Sequence, residues 1–302
     1  MSIASVVVTY NRKELLKRVV QSLRNQTVSL DAMIVVDNHC TDGSGEWLDS
    51  QKDLIVIHQE NVGGSGGFYT GIQYAHKQGY DWIWCMDDDV FPQANCLEEL
   101  LKKDAKDVGI LCPQRLQNGK IYIDEYVKLN LSDIFKGIHL KKLTKEMVAA
   151  GKPVSIESMV FEGPLIKKAV VDKIGYPNKD LFIYFDDTDY SYRAVLANWK
   201  VLYIPTAKMV KYLFTVNLSQ KDSFKHGKWK QKYLFRNYVY FCRRYGRNKL
   251  FNYFDSFGII FRLFVSITFN ILFFTGKYNL GDYLILFRSY IDGITLKLGK
   301  YE

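Results

Sequence analysis

Trp82-Ile83-Trp84-Cys85-Met86-Asp87-Asp88-Asp89-Val90 is a short apolar run of strand-forming residues that ends in three consecutive carboxylates. An apolar run this short, closed by an abrupt polar switch, suits a strand buried inside a sheet. Three adjacent Asp repel one another, and a hard divalent cation offsets the repulsion. Mg²⁺ or Mn²⁺ takes one or two carboxylates together with substrate phosphates. Alternate residues of extended backbone share a face, so Asp87 and Asp89 can hold one ion while Asp88 faces elsewhere. The competing reading is a solvated acidic turn before a helix that begins near Asn95. So apolar a strand favours the metal.

Working outward, the same pattern repeats. Ile3 to Thr9 is a β-branched strand that runs into the turn Tyr10-Asn11-Arg12. Leu15, Leu16, Val19, Val20 and Leu23 then fall at helical spacing. Ile34 to Val36 ends at Asp37-Asn38. Leu54 to Ile57 precedes Asn61-Val62-Gly63-Gly64-Ser65-Gly66-Gly67, expected as a glycine loop, and Phe68 to Gln78 is expected as a helix. Strands alternating with helices argue for βαβ units, a mostly parallel sheet and an α/β fold class. Ligands of such sheets sit at the carboxyl ends of strands, where Thr9–Arg12, Asp37, Asn61–Gly67 and Asp87–Asp89 all lie. Alone, the glycine run is equally a tight turn or a ligand loop, and Asp37 equally a cap.

Gly109 to Pro113 reads as another strand, and Lys120 to Lys152, Lys-rich and without period, as an insertion or flap. Ser155 to Phe161 reads as a strand and Glu162-Gly163-Pro164 as a turn. Phe182-Ile183-Tyr184-Phe185 reads as an aromatic strand running into Asp186-Asp187-Thr188-Asp189, with a helix over Thr188–Asn198. Acidic residues at a helix start are favourable by roughly 0.3–1 kcal/mol each. That explains one or two of these Asp but not a doublet behind an aromatic run, so a functional role is expected. Arg193 is expected to favour the charged form of Asp187, and burial against Tyr184 and Phe185 to oppose it.

The five Cys of the 302 residues are scattered and odd in number, which suits reduced thiols and neither a disulfide frame nor a zinc site. The opening Met1-Ser2-Ile3-Ala4-Ser5 has no signal-peptide pattern. The net charge of +9 hides an asymmetry. Through Pro205 there are 24 Lys+Arg against 27 Asp+Glu; beyond it there are 17 against 5. The basic tail is interleaved with Phe, Tyr and Trp. Phe257 to Gly276 is apolar enough to span a bilayer by count, but Arg262 and Asn270 lie inside it. The pattern favours helices lying in the headgroup plane over a span, with an ordinary bundle or homo-oligomer face as the alternative. No groove-reading or single-strand motif appears, which argues against nucleic acid.

The ordered set Val6-Val7-Val8-Thr9-Tyr10-Asn11-Arg12, Val35-Val36-Asp37-Asn38, Asn61 to Gly67, Met86 to Asp89 and Phe185-Asp186-Asp187-Thr188-Asp189-Tyr190 resembles the family 2 inverting glycosyltransferases of GT-A fold. In look it is most similar to bacterial galactofuranosyltransferases and rhamnosyltransferases that build surface polysaccharides such as O-antigen and capsule. Tyr-Leu-Phe-Arg-Asn at 233–237 shares that look. The resemblance implies a GT-A catalytic domain over 1–215, with a nucleotide-binding half (1–113) and an acceptor half (114–215), followed by a basic, aromatic helical region over 216–302. It implies that Thr9, Tyr10, Arg12, Asp37, Asn61, Gly64, Gly67 and Asp88 bind a UDP- or dTDP-linked sugar, and that Asp87 and Asp89 hold Mn²⁺ or Mg²⁺. Asp187 is implied as the general base, and Phe185 and Asp186 as acceptor contacts. The implied partners are the nucleotide-sugar, a lipid-linked glycan and an anionic membrane surface; the implied location is the inner face of the cell membrane.

The chain departs from that pattern at Pro205-Thr206-Ala207-Lys208-Met209-Val210-Lys211-Tyr212, where the related galactofuranosyltransferases often carry a metal-binding His. Water, His226, or Lys211 acting directly on the diphosphate are the three readings. A nucleotidyltransferase also uses paired Asp but has no need of the Asp186-Asp187 doublet. A non-catalytic scaffold has little reason to keep buried carboxylates.

Overall fold

The computed structural model describes residues 1–212, 220–273 and 277–301, with the side chains of 220–226 and 259 outside the described set. His226 falls among those side chains. The chain forms two compact units. The first comprises Met1–Lys128, Lys141–Lys179 and Asp186–Leu213; the second comprises Leu129–Leu140, Asp180–Phe185 and Phe214–Glu302. Two short segments from the first two-thirds of the sequence therefore belong with the tail.

The strands are β1 (Ile3–Thr9), β2 (Ala32–Asp37), β3 (Leu54–His58), β4 (Trp82–Asp87), β5 (Val90–Pro92), β6 (Val108–Gln117), β7 (Lys120–Tyr122), β8 (Tyr126–Leu129), β9 (His139–Lys142), β10 (Val154–Ser155), β11 (Leu165–Lys167) and β12 (Lys200–Lys211). The helices are α1 (Lys13–Arg24), α2 (Ser44–Asp49), α3 (Gly63–Lys77), α4 (Cys96–Leu101), α5 (Lys145–Ala149), α6 (Lys168–Ile174), α7 (Asp186–Leu196), α8 (Gln220–Tyr245), α9 (Lys249–Leu272) and α10 (Gly281–Ile294).

The main sheet runs β10-β12-β6-β11-β4-β1-β2-β3. β3, β2, β1 and β4 are mutually parallel, and β12 is parallel to β6. β11 sits antiparallel between β4 and β6, although it follows both in sequence. Every residue of β1 is buried, because helices cover both faces of the sheet. Val6 and Val8 pack on one side with Phe68, Ile72 and Ala75 of α3. Ile3 and Val7 pack on the other with Leu16, Val19, Val20 and Leu23 of α1.

Three sequence expectations change. First, α3 begins inside the glycine run rather than after it. A Cβ on Gly67 would run into Val8, and one on Gly71 into Val6, so these glycines let α3 lie close on β1. Second, the segment after Lys120 has structure of its own: β7, β8, β9 and α5, with Leu143 and Val148 in the core of the first unit. Of the expected strand over 155–161, Ser155 joins the sheet beside Val154 and Ser158 makes an isolated bridge to Tyr126, while Leu165–Lys167 supplies the sheet strand.

Third, Phe182 to Phe185 is not a strand. Phe182, Tyr184 and Phe185 take left-handed φ of 68°, 68° and 66°. Each such residue costs on the order of 1–3 kcal/mol unless its surroundings hold it. The holder lies in the same unit: buried Asn237 donates through Nδ2 to the carbonyls of Leu181, Ile183 and Tyr184 at 3.0, 2.9 and 2.8 Å. A side chain from α8 takes the carbonyls that a neighbouring strand would have used. Phe185 is buried against Phe241 and Tyr238.

In the second unit α8, α9 and α10 pack on one another around Ile260, Ile267 and Leu286. Asp255 of α9 is satisfied inside it by the Tyr238 hydroxyl at 2.6 Å. The opposite stripe of α9 is apolar and exposed: Phe254, Phe257, Phe261, Val265 and Phe269 recur at helical spacing. Leu284, Phe287 and Ile291 do the same on α10. Among the described residues α9 is the one helix long and apolar enough to cross a bilayer, by length and composition alone.

Candidate active site

The sheet register brings the first acidic cluster together with two other loops. Val8 lies beside Asp87 across β1 and β4, and Thr9 beside Asp37 across β1 and β2. Asp87 closes β4, and Asp88 and Asp89 form the turn into β5. Asp88 faces β1: its Oδ2 accepts from Thr9 Oγ1 at 2.8 Å and from the Tyr10 N–H at 3.3 Å, and its Oδ1 from Arg12 Nη1 at 2.8 Å. Arg12 also reaches Asp89 Oδ2 at 3.4 Å. Thr9 and Arg12 thus spend their polar groups on the acidic turn, whereas Tyr10 is 48% exposed.

Facing that turn is a carboxylate that the sequence did not single out. One oxygen each from Asp87, Asp89 and Glu162 lie within 4.8 Å of one another. Glu162 is set there by β4. The Trp84 indole donates to the Gly163 carbonyl at 2.9 Å, Gly163 N–H donates to Cys85 O at 2.9 Å, and Cys85 N–H donates to Pro164 O at 2.9 Å. Gly163 has φ of 100°, and a Cβ there would meet Met209 and Pro113, so the turn needs glycine.

Two cations from distant strands share Glu162. Fully buried Arg115 of β6 binds it through Nη1 and binds buried Glu125 through Nη2 at 2.7 Å. Lys211 binds Glu162 at 2.5 Å and lies 3.7 Å from Asp89 Oδ1. β5 pairs antiparallel with β12, placing Lys211 opposite Val90. Burial opposes ionisation of Glu162, but Arg115 and Lys211 outweigh it and hold its carboxyl below the usual range. Asp87 is the reverse case. Burial, then Asp89 and Glu162, push it well above that range.

Within this linked network, among the described residues, Asp87, Asp88, Asp89, Glu125 and Glu162 meet Arg12, Arg115 and Lys211. By formal charge five carboxylates face three cations, an excess of two that burial offsets by favouring the protonated form of Asp87 and that a bound cation would offset in its place. Asp89 Oδ1 is buried without a hydrogen bond. An all-oxygen acidic donor set of this kind is suited to a hard divalent cation.

The second acidic pair opens α7 instead of preceding it. Thr188 N–H donates to Asp187 Oδ1 at 2.6 Å. Burial raises the Asp186 carboxyl to about 6, while its own backbone N–H pulls it down. Burial and Asp186 push Asp187 well above the usual range, and Glu162 adds to the shift, so the two clusters act on each other electrostatically. Arg193 does not serve Asp187. It binds Asp189 at 2.9 Å and the carbonyls of Ile174 and Tyr176, because residues four apart share a helix face and residues six apart do not.

The remaining candidates lie on the loops after β2 and β3. Buried Asp37 accepts from Cys40 N–H and contacts His58 Nδ1, both at 2.9 Å. The Asn61 side chain accepts from Gly63 N–H at 3.0 Å, Gly64 faces open space, and Gly67 faces Val8.

The profile described as Glycosyl transferase family 2 matches residues 5–162. The chain is 30% identical over 207 residues to the galactofuranosyltransferase GlfT1 of Mycobacterium tuberculosis, covering 64% of each protein. It is 26% identical over 215 residues to the dTDP-rhamnosyl transferase RfbF of Shigella flexneri, covering 69% of this chain and 68% of that one. The match thus spans a little under two thirds of the mycobacterial relative. The crystal structure of GalNAc-T7 with UDP, GalNAc and Mn²⁺ superposes with a TM-score of 0.55 at 14% identity, covering 84% of this chain and 53% of that one. With a profile match over more than half its length on a sheet of this topology, the chain belongs to glycosyl transferase family 2 and has the GT-A fold.

Proposed function

We propose that this protein is a metal-dependent inverting glycosyltransferase that moves galactofuranose or rhamnose from a UDP- or dTDP-linked donor to a lipid-linked glycan during bacterial surface-polysaccharide synthesis. The observation that carries the reading is the acidic network around Asp87, Asp89 and Glu162, with Asp187 within reach of its field. Asp87, Asp89 and Glu162 would hold a divalent cation, which when bound supplies the positive charge that a departing diphosphate needs. Asp88, fixed by Thr9 and Arg12, keeps the turn in register, and Tyr10, Asp37, Asn61 and Gly64 face the nucleotide. Asp187 takes the proton from the acceptor hydroxyl as that oxygen attacks the anomeric carbon. Its Oδ1 is occupied by Thr188 N–H, which leaves Oδ2 for the acceptor. Asp186 and Phe185 shape the acceptor side. UDP- and dTDP-sugars screened for nucleotide release in Mn²⁺, with and without a lipid-linked acceptor, test the reading. Release from none of them sinks it.

The tail would attach the enzyme to the inner face of the membrane. The exposed apolar stripes of α9 and α10 suit acyl chains, and the basic excess beyond Pro205 suits anionic headgroups. Binding to anionic vesicles is expected to weaken with salt, because exposed charges are screened beyond about 10 Å at 0.1 M. Indifference to anionic vesicles at low salt counts against peripheral attachment, and so does retention through salt washes that only detergent ends.

A further inference from the structure

The left-handed run before α7 and the Arg236-Asn237 pair of α8 form one device. Asn237 is fully buried, and its amide has two separate jobs. Nδ2 donates to three carbonyls of the run, those of Leu181, Ile183 and Tyr184. Oδ1 accepts from Arg236 Nε at 2.8 Å, which fixes the orientation of the amide. Arg236 is itself buried, and its Nη2 donates to Leu181 O at 2.9 Å and Asp180 O at 3.3 Å. Two adjacent side chains thus gather carbonyls from four of the five residues Asp180 to Tyr184. Three aromatic residues there hold φ angles that aromatic residues rarely adopt. One peptide bond separates the end of that run, Phe185, from Asp186, and one more leads to Asp187.

We infer that Asn237, oriented by Arg236, is a positioning residue for the Asp186-Asp187 pair: it fixes the backbone path by which the chain enters α7. The inference rests on the reading of Asp187 as general base. Its logic is that stored backbone strain relaxes when its holder is removed, and relaxation moves the residues covalently attached to the strained run. The carbonyls that Asn237 holds lie directly before α7, and it makes no hydrogen bond to Asp87, Asp89 or Glu162, so its loss is expected to act on turnover before donor binding.

The test uses the full chain with Mn²⁺ and two donor probes, UDP-galactofuranose and dTDP-rhamnose. Asn237→Ala is expected to lower kcat by about 10²-fold, as a displacement of roughly 1 Å does, while Mn²⁺ affinity, nucleotide affinity and donor KM stay within about threefold. Tyr184→Gly puts glycine at one left-handed position and lessens the need for a holder. In the double variant kcat is expected to recover by about tenfold over Asn237→Ala alone, which a merely structural loss of packing would not show. Where Asn237→Ala does not fold, Arg236→Lys keeps a buried cation but removes the bond to Asn237 Oδ1, and it is expected to lower kcat with donor KM unchanged. Turnover within twofold of wild type in Asn237→Ala, or in Arg236→Lys where that stands in, overturns the inference. So does a loss of kcat that comes with equal loss of nucleotide affinity and no recovery in the double variant. An active Asp187→Asn overturns both the inference and the base assignment beneath it; an inactive Asp187→Asn beside a fully active Asn237→Ala overturns the positioning role alone.

Discussion

Asp187→Asn is expected to bind nucleotide-sugar and Mn²⁺ like wild type and to lose transfer by about 10²-fold or more, the usual scale of a general-base contribution. The substitution keeps shape and the bond from Thr188 N–H but removes basicity. A pH profile sharpens the test. Burial and Asp186 raise the carboxyl of Asp187, with Glu162 adding to them. Since the base works ionised, activity falls as pH drops through a pKa that lies above the ordinary Asp range. The acid limb of wild type should therefore appear at higher pH than an exposed carboxylate would give, and it should vanish from the residual activity of Asp187→Asn. Asp186 is also raised, by burial, to about 6, and the two carboxyls interact, so the limb belongs to the pair. Asp186→Asn is expected to raise acceptor KM instead. If Asp187→Asn turns over normally while Asp186→Asn is dead, the base lies one residue back.

The second large effect concerns the ion. Asp87→Ala and Asp89→Ala are each expected to abolish transfer and weaken nucleotide affinity, and chelation to silence the wild type. Asp87→Ala should not lower the melting temperature, because it removes one member of a mutually repelling set whose protonation is already favoured by burial, and Asp89→Ala should lower it only slightly, because its partners Arg12 and Lys211 keep Asp88 and Glu162. Glu162→Gln should behave differently. It leaves Arg115 and Lys211 without a shared counter-charge, and breaking a buried pair in this way costs on the order of 3–5 kcal/mol. Calorimetry beside Mn²⁺ titration separates the two behaviours. Full activity in excess EDTA, or equal stability loss in all three variants, contradicts the arrangement.

What could be seen in the sequence followed from local physics. The switch from Trp82-Ile83-Trp84 to three Asp marks a strand end wherever it occurs, and β1 to β4 alternate with helices as their periodicity demands. What could not be seen depended on residues far apart in the chain. Glu162 is an isolated carboxylate in a Gly-Pro turn, and nothing local distinguishes it. Its partners Arg115 and Lys211 arrive on β6 and β12. The Phe182–Phe185 run has every strand propensity, and Asn237 overrides it by taking its carbonyls. The glycines after Asn61 looked like a loop because their reason, close packing on Val6 and Val8, is visible only from the other side of the contact.

The late insertion of β11 bears on how the protein is made. β4 and β6 leave the ribosome first, and the slot between them stays open until Leu165–Lys167 has been synthesised. At roughly 5–20 residues per second, that interval is on the order of 2.5–10 s, with strand edges unpaired. Neither Glu162 nor Lys211 can join the acidic turn before then. Weakening β11 should therefore register first as soluble protein lost during synthesis, with the molecules that do complete the sheet keeping their specific activity.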